Sequence, residues 1–81
     1  MFDYVIYTAD NCSWCEKAKE LLTNNGMTYL EKNISKNKQY RDTLRYRGLK
    51  TVPQIYEGTS EIIHMGGYDD FSSFIIALHL K

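Results

Sequence analysis

The sequence predicts one α/β domain over residues 1–81, with elements in the order βαβαββα forming a four-stranded mixed sheet covered by helices on both faces. Three observations predict this class. Short β-branched and aromatic runs alternate with stretches whose apolar residues recur at helical spacing. A strand–helix–strand unit demands parallel strands joined by a right-handed crossover, whereas a short turn between the last two strands demands an antiparallel pair. The length of 81 residues leaves no room for a second core, and a chain of this size buries roughly 60–65% of the surface its unfolded form exposes.

Tyr4-Val5-Ile6-Tyr7-Thr8 is a buried first strand, closed by the loop residues Asp10-Asn11. From Ser13 to Asn25, Trp14, Ala18, Leu21 and Leu22 recur at helical spacing, and Asn24-Asn25-Gly26 supplies a stop. Met27 to Lys32 alternates as a second strand, with Met27, Tyr29 and Glu31 on one face and Thr28 and Leu30 on the other. Ser35 is expected to cap a second helix running to Arg47, with Tyr40 and Leu44 as its core stripe and Gly48 at the C′ position. Gln54–Glu57 and Glu61–Met65 flank Gly58-Thr59-Ser60 as a β-hairpin, and Gly66-Gly67 ends it. The last helix opens with Asp69-Asp70, carries Phe71, Phe74, Ile75 and Leu78 on one face and ends in Lys81, so its terminal charges complement the macrodipole.

Composition narrows the functions. Hydrophobic residues at 43% and charged residues at 25% are values of a soluble globular chain. Ten Lys and Arg balance ten Asp and Glu, so no global field draws the protein to nucleic acid or an anionic membrane, and the seven tyrosines accompany no basic stripe. No apolar run approaches the roughly 20 residues that span a bilayer. Two cysteines are too few for a disulfide-stapled secreted scaffold, and Met1-Phe2-Asp3-Tyr4 lacks the profile of a signal peptide. A reducing, cytoplasmic setting is expected.

The chemistry concentrates in Cys12-Ser13-Trp14-Cys15, which holds both cysteines. Such a pair closes a small disulfide, holds half of a metal site, or is incidental. The other soft ligands, His64 and His79, are separated by fourteen residues, far from any zinc-finger spacing, so no metal is expected. The pair also sits where a strand enters a helix, a position that favours reactivity over inert burial. The thiolate is the attacking species, and a free cysteine has a pKa of about 8.5. A helix N-terminus contributes at most about 2 kcal/mol, or slightly more than one pKa unit at 1.36 kcal/mol each. Cys12, first and exposed, is the expected nucleophile, and Cys15, one turn inward, the resolving thiol.

Thr51-Val52-Pro53 precedes the third strand and Gly66-Gly67-Tyr68-Asp69-Asp70 the last helix. Together with Tyr7-Thr8 before the cysteine pair and Ala18-Lys19-Glu20-Leu21-Leu22 after it, these motifs resemble the glutaredoxins over nearly the whole chain. The resemblance implies a minimal thioredoxin-like fold and a monomeric, glutathione-dependent thiol–disulfide oxidoreductase acting on protein disulfides or glutathione mixed disulfides. Ribonucleotide reductase is a partner it suggests. It implies a cis Pro53 facing the cysteines, with Val52 pairing its backbone with glutathione as an added strand residue. It further implies that the γ-glutamyl carboxylate sits at the N-terminus of the last helix, contacted by Gly67, Tyr68 and Asp69. Thr51 and Trp14 complete the expected glutathione groove. Asp70 is expected to cap its helix only.

Three departures from the family pattern bear on this reading. Ala9 stands where many relatives carry a cation, and Asp10 adds a negative charge that opposes thiolate formation; Arg41 and Arg45 are candidate replacements for the glycyl-carboxylate contact. Ser13 and Trp14 replace the family's usual Pro and Tyr, and the hairpin from Ile55 to Met65 is longer than in many relatives. Two other readings follow from these features: an electron donor recycled by thioredoxin reductase, suggested by size and by Ala9, and a carrier of a [2Fe–2S] cluster, suggested by the serine between the cysteines. His64 and His79 receive no role.

Overall fold

The computed structural model describes residues 1–79, so the expected final charge at Lys81 lies outside the described residues. The elements are β1 (Tyr4–Thr8), α1 (Ser13–Asn24), β2 (Tyr29–Asn33), α2 (Lys38–Tyr46), β3 (Gln54–Glu57), β4 (His64–Gly66) and α3 (Tyr68–His79). The βαβαββα order is as the sequence predicts. The sheet runs β2-β1-β3-β4, with β1 parallel to β2 and antiparallel to β3, and β3 antiparallel to β4. Among the described residues no helix is long and apolar enough to cross a membrane.

The alternation of β1 explains the layers. Ile6 points to one face, where it meets Ile55, Ala18 and Leu22 of α1, and Phe71 and Ile75 of α3. Val5 and Tyr7 point to the other, where they meet Tyr56 and Leu44 of α2. Tyr4 closes the first layer with an edge-on contact to Phe71, ring centres 5.0 Å apart. A central strand sandwiched between helices must be apolar on both sides, which is why Tyr4–Thr8 reads as an unbroken run.

Both connecting helices end alike. In α2 the Gly48 N–H bonds to the Arg45 carbonyl and the Leu49 N–H to the Leu44 carbonyl, a Schellman pair that requires the positive φ of +76° found at Gly48. In α1, Gly26 and Met27 make the equivalent bonds to Thr23 and Leu22, and Met27 returns to the core beside Leu22.

The structure corrects four local expectations. The cap of α2 is Asn37, whose Oδ1 accepts the N–H groups of Gln39 and Tyr40 at 2.9 and 3.3 Å. Ser35 instead accepts the Asp10 N–H on its hydroxyl at 3.0 Å, tying down the loop before Cys12. The fourth strand begins at His64, because Glu61 turns away with a φ of +57° and exposes Ile62 and Ile63. Leu78 is exposed, so the core face of α3 is carried by Phe71 and Ile75 with Phe74 partly covered. Glu31 is drawn out of the core alternation of β2 by polar partners: it accepts from Thr8 Oγ1 at 2.7 Å and pairs with Lys19.

Candidate active site

Cys12 is the N-cap residue of α1, with extended backbone (φ −116°, ψ 100°), so the chain turns into the helix directly behind it. Its sulfur accepts the N–H of Cys15 at 3.1 Å, taking the place of the oxygen that usually caps a helix. That N–H and the positive end of α1 both face the sulfur with positive charge.

Cys12 and Cys15 are joined in a disulfide with Cα atoms 5.2 Å apart, inside the usual range of about 4.4–6.8 Å. Cys15 is fully buried, whereas Cys12 is partly exposed. An external thiolate therefore reaches the Cys12 sulfur and expels the Cys15 thiolate. In the reverse direction Cys12 is the sulfur that attacks a substrate disulfide, and Cys15 resolves the mixed disulfide from behind.

Beside Cys12, and reached through Val52, lies a groove of about 210 Å³ lined by Trp14, Thr51, Val52, Pro53, Gly67, Tyr68 and Asp69. The Val52–Pro53 peptide is cis, and the Val52 carbonyl oxygen lies 3.9 Å from Cys12 Sγ. Apart from that contact, among the described residues the Val52 N–H and carbonyl make no hydrogen bond. They are a short stretch of unpaired sheet-like backbone beside the reactive sulfur. Trp14 is 51% exposed, its ring centre lies 5.2 Å from that of Tyr68, and Lys17 Nζ sits 4.4 Å from the Trp14 ring centre, so it walls the groove rather than joining the core stripe of α1.

At the far wall Gly66 has a φ of +91°, and a Cβ there would fall 2.5 Å from the Asp70 carboxylate. Only glycine permits this turn into α3. Neither Asp69 nor Asp70 makes a side-chain hydrogen bond to a described residue; Asp70 thus leans over Gly66 instead of capping the helix as expected, and the Phe71 N–H bonds to the Gly67 carbonyl.

All but one of the residues expected to hold glutathione thus come together. The exception is Arg41, which with Arg45 lines a neighbouring hollow that shares Thr51 and Val52 with the groove. Ala9 and Asp10 face a different, polar hollow with Lys19 and Lys36, and the Asp10 carboxylate accepts from Asn33 Nδ2 at 3.1 Å.

Two supporting groups escaped the sequence reading. Gln54, 6% exposed, donates from Nε2 to the carbonyl and the hydroxyl of Thr51, each at 3.0 Å, and its Oε1 faces His64 Nε2 at 2.8 Å. A carbonyl only accepts, so the amide nitrogen must face Thr51 and His64 Nε2 must carry the proton that Oε1 receives. Gln54 thereby holds the segment that presents Val52. Glu61 gathers Tyr7, Lys32 and Arg47 under the hairpin. Burial pushes its carboxyl up, but hydrogen bonds from Lys32 and Tyr7, with the charges of Lys32 and Arg47, outweigh it and hold the group below the usual carboxylate range. A polar residue at a strand start and an acid in a loop carry no sequence signal for these roles.

Comparison with known proteins agrees with this geometry. The family model described as Glutaredoxin matches residues 4–62. The chain is 38% identical over 71 residues to Glutaredoxin 3 of Escherichia coli (strain K12), covering 86% of this chain and 82% of that protein. It is 40% identical over 67 residues to a glutaredoxin of Pseudomonas aeruginosa, covering 82% and 76%. The solution structure of glutaredoxin from Brucella melitensis superposes with a TM-score of 0.75 at 33% identity, covering 99% of this chain and 85% of that one. With a cap-position cysteine, a buried partner and an unpaired backbone edge beside them, the chain belongs to the glutaredoxin family and is a thiol–disulfide oxidoreductase whose dithiol centre is Cys12 and Cys15.

Proposed function

We propose that glutathione is the direct reductant of this protein and that it binds in the groove beside Cys12. The observation that supports the reading best is the unpaired Val52 backbone beside Cys12 Sγ, with its carbonyl oxygen 3.9 Å from the sulfur. The backbone of the glutathione cysteine pairs with Val52 as one added strand residue, which aligns its sulfur with that of Cys12. The γ-glutamyl carboxylate meets the N–H groups at the start of α3, between Gly67 and Asp69, and the Asp69 carboxylate takes the ammonium. Tyr68 and Trp14 wall the site, Thr51 and Pro53 floor it, and Arg41 reaches the glycyl carboxylate from the adjoining hollow.

The cycle balances with two glutathione molecules. The first glutathione thiolate attacks Cys12 Sγ, forming a mixed disulfide and releasing Cys15 as a thiol. The second attacks the glutathione sulfur, releasing glutathione disulfide and the Cys12 thiolate. Reduced Cys12 then attacks a substrate disulfide, and Cys15 closes the internal disulfide as the substrate thiol leaves.

The test is a coupled NADPH assay with a protein disulfide as substrate, comparing glutathione plus glutathione reductase with thioredoxin reductase alone. Turnover with the first system at least tenfold above the second is expected; turnover confined to thioredoxin reductase would sink glutathione as reductant. Cys12→Ser abolishes activity, while Cys15→Ser retains removal of glutathione from small mixed disulfides.

A further inference from the structure

A second, larger hollow of about 490 Å³ adjoins the groove and shares Thr51 and Val52 with it. Its floor is apolar: Ile34, Leu44 and Leu49 belong to the core layer beneath α2 and present their remaining surface to it. Its rim is cationic, formed by Arg41 and Arg45 four residues apart on α2 and by Lys50 on the following turn. Among the described residues none of these three cations makes an ion pair, although five ion pairs occur elsewhere and the whole chain carries no net charge. Positive charge is thus concentrated around an apolar floor at one end of the redox groove.

We propose that this hollow docks the segment flanking the cysteine of a protein substrate, and that it selects segments in which an acidic residue neighbours a large apolar one. An apolar side chain fills the floor, and the carboxylate lies among the three exposed rim cations, whose attraction steers and orients it and is screened by salt. Continuity with the groove sets the reach. Val52 belongs to both, and its carbonyl oxygen is 3.9 Å from Cys12 Sγ. At about 3.3 Å per extended residue, a side chain two to four positions from the reacting cysteine arrives in the hollow. The inference rests on the thiol–disulfide activity; Arg41, assigned above to the glycyl carboxylate of glutathione, serves the substrate segment at a different step of the cycle.

The test uses the full chain reduced by dithiothreitol and freed of it, with no glutathione present. It is mixed in single turnover with disulfide-cyclised peptides carrying Asp-Leu or Lys-Leu three and four residues outside one cysteine, on either side. Two electrons pass from the Cys12–Cys15 dithiol to the peptide disulfide, and two peptide thiols appear. The Asp-Leu peptide is expected to react about tenfold faster on at least one side, with the advantage shrinking in 300 mM salt. Replacing its Leu by Ser removes most of the gain. Lys50→Glu removes most of the preference while leaving the rate with bis(2-hydroxyethyl) disulfide within twofold.

Equal rates for the two peptides overturn the proposal, as does a preference that survives Lys50→Glu undiminished. An equal fall of peptide and small-disulfide rates in a variant that is folded by circular dichroism also overturns it, since the cations would then act on Cys12 itself. Should Lys50→Glu not fold, Lys50→Gln and the salt dependence of the parent protein decide the same question.

Discussion

Gln54 shows how one buried amide acts on the groove. Both hydrogens of its Nε2 are committed to Thr51, at 3.0 Å each, and its oxygen to His64. Gln54→Glu keeps the shape but leaves an ionised carboxylate facing the Thr51 carbonyl, which has no proton to offer. The expected cost is about 1–3 kcal/mol in urea denaturation, the penalty of an unsatisfied buried acceptor. Because Thr51 precedes Val52, KM for glutathione rises more than kcat falls. An unchanged KM with lowered stability would restrict Gln54 to a structural role. The same scale separates the two cysteines: full burial of Cys15 leaves Cys12 as the sulfur that partners reach.

The elements decide where these side chains stand. The loop before Cys12 is fixed from β2 and its following turn, through Ser35 to the Asp10 N–H and Asn33 to the Asp10 carboxylate. The cap of α2 was less legible than its core stripe. Tyr40 and Leu44 follow from periodicity, but Ser35 and Asn37 both carry capping side chains, and only the placement of the turn after β2 decides between them. Asn37→Ala is expected to lower stability by about 0.5–2 kcal/mol, and Asn37→Asp to retain most of it, as thermal denaturation would record. Ser35→Ala should cost less in stability but loosen the loop that carries Cys12. The hairpin is a comparable case. Gly58-Thr59-Ser60 announces a turn, but the pull of Tyr7, Lys32 and Arg47 on Glu61 extends it to Ile63 and shortens β4 to three residues.

At the scale of the whole molecule, the same Glu61 cluster ties together β1, β2, the end of α2 and the hairpin, and so links stability to pH. The folded state holds the Glu61 carboxyl below its ordinary value of about 4.3, so its stabilisation is full above that pH and is lost as pH falls through the lower folded value. Burial, the Glu61 hydrogen bond and the Glu61 charge push the Tyr7 phenol far up, so its contribution is full below about pH 10 and is lost as pH rises beyond it. Urea midpoints measured across pH should fall on both limbs, with Glu61→Gln flattening the acid limb; an unaltered acid limb in that variant would contradict the linkage. By itself the sequence determined the order of elements, the two-sided burial of Tyr4–Thr8 and the identity of the redox pair, because these rest on local periodicity and on residue types with few alternative uses. Tertiary structure alone decided that the Val52 carbonyl stands beside Cys12, that Arg41 lines the hollow beside the groove, and that Glu61 is a half-buried hub. Each depends on segments far apart in the chain meeting across the sheet, a relation that spacing along one segment does not encode.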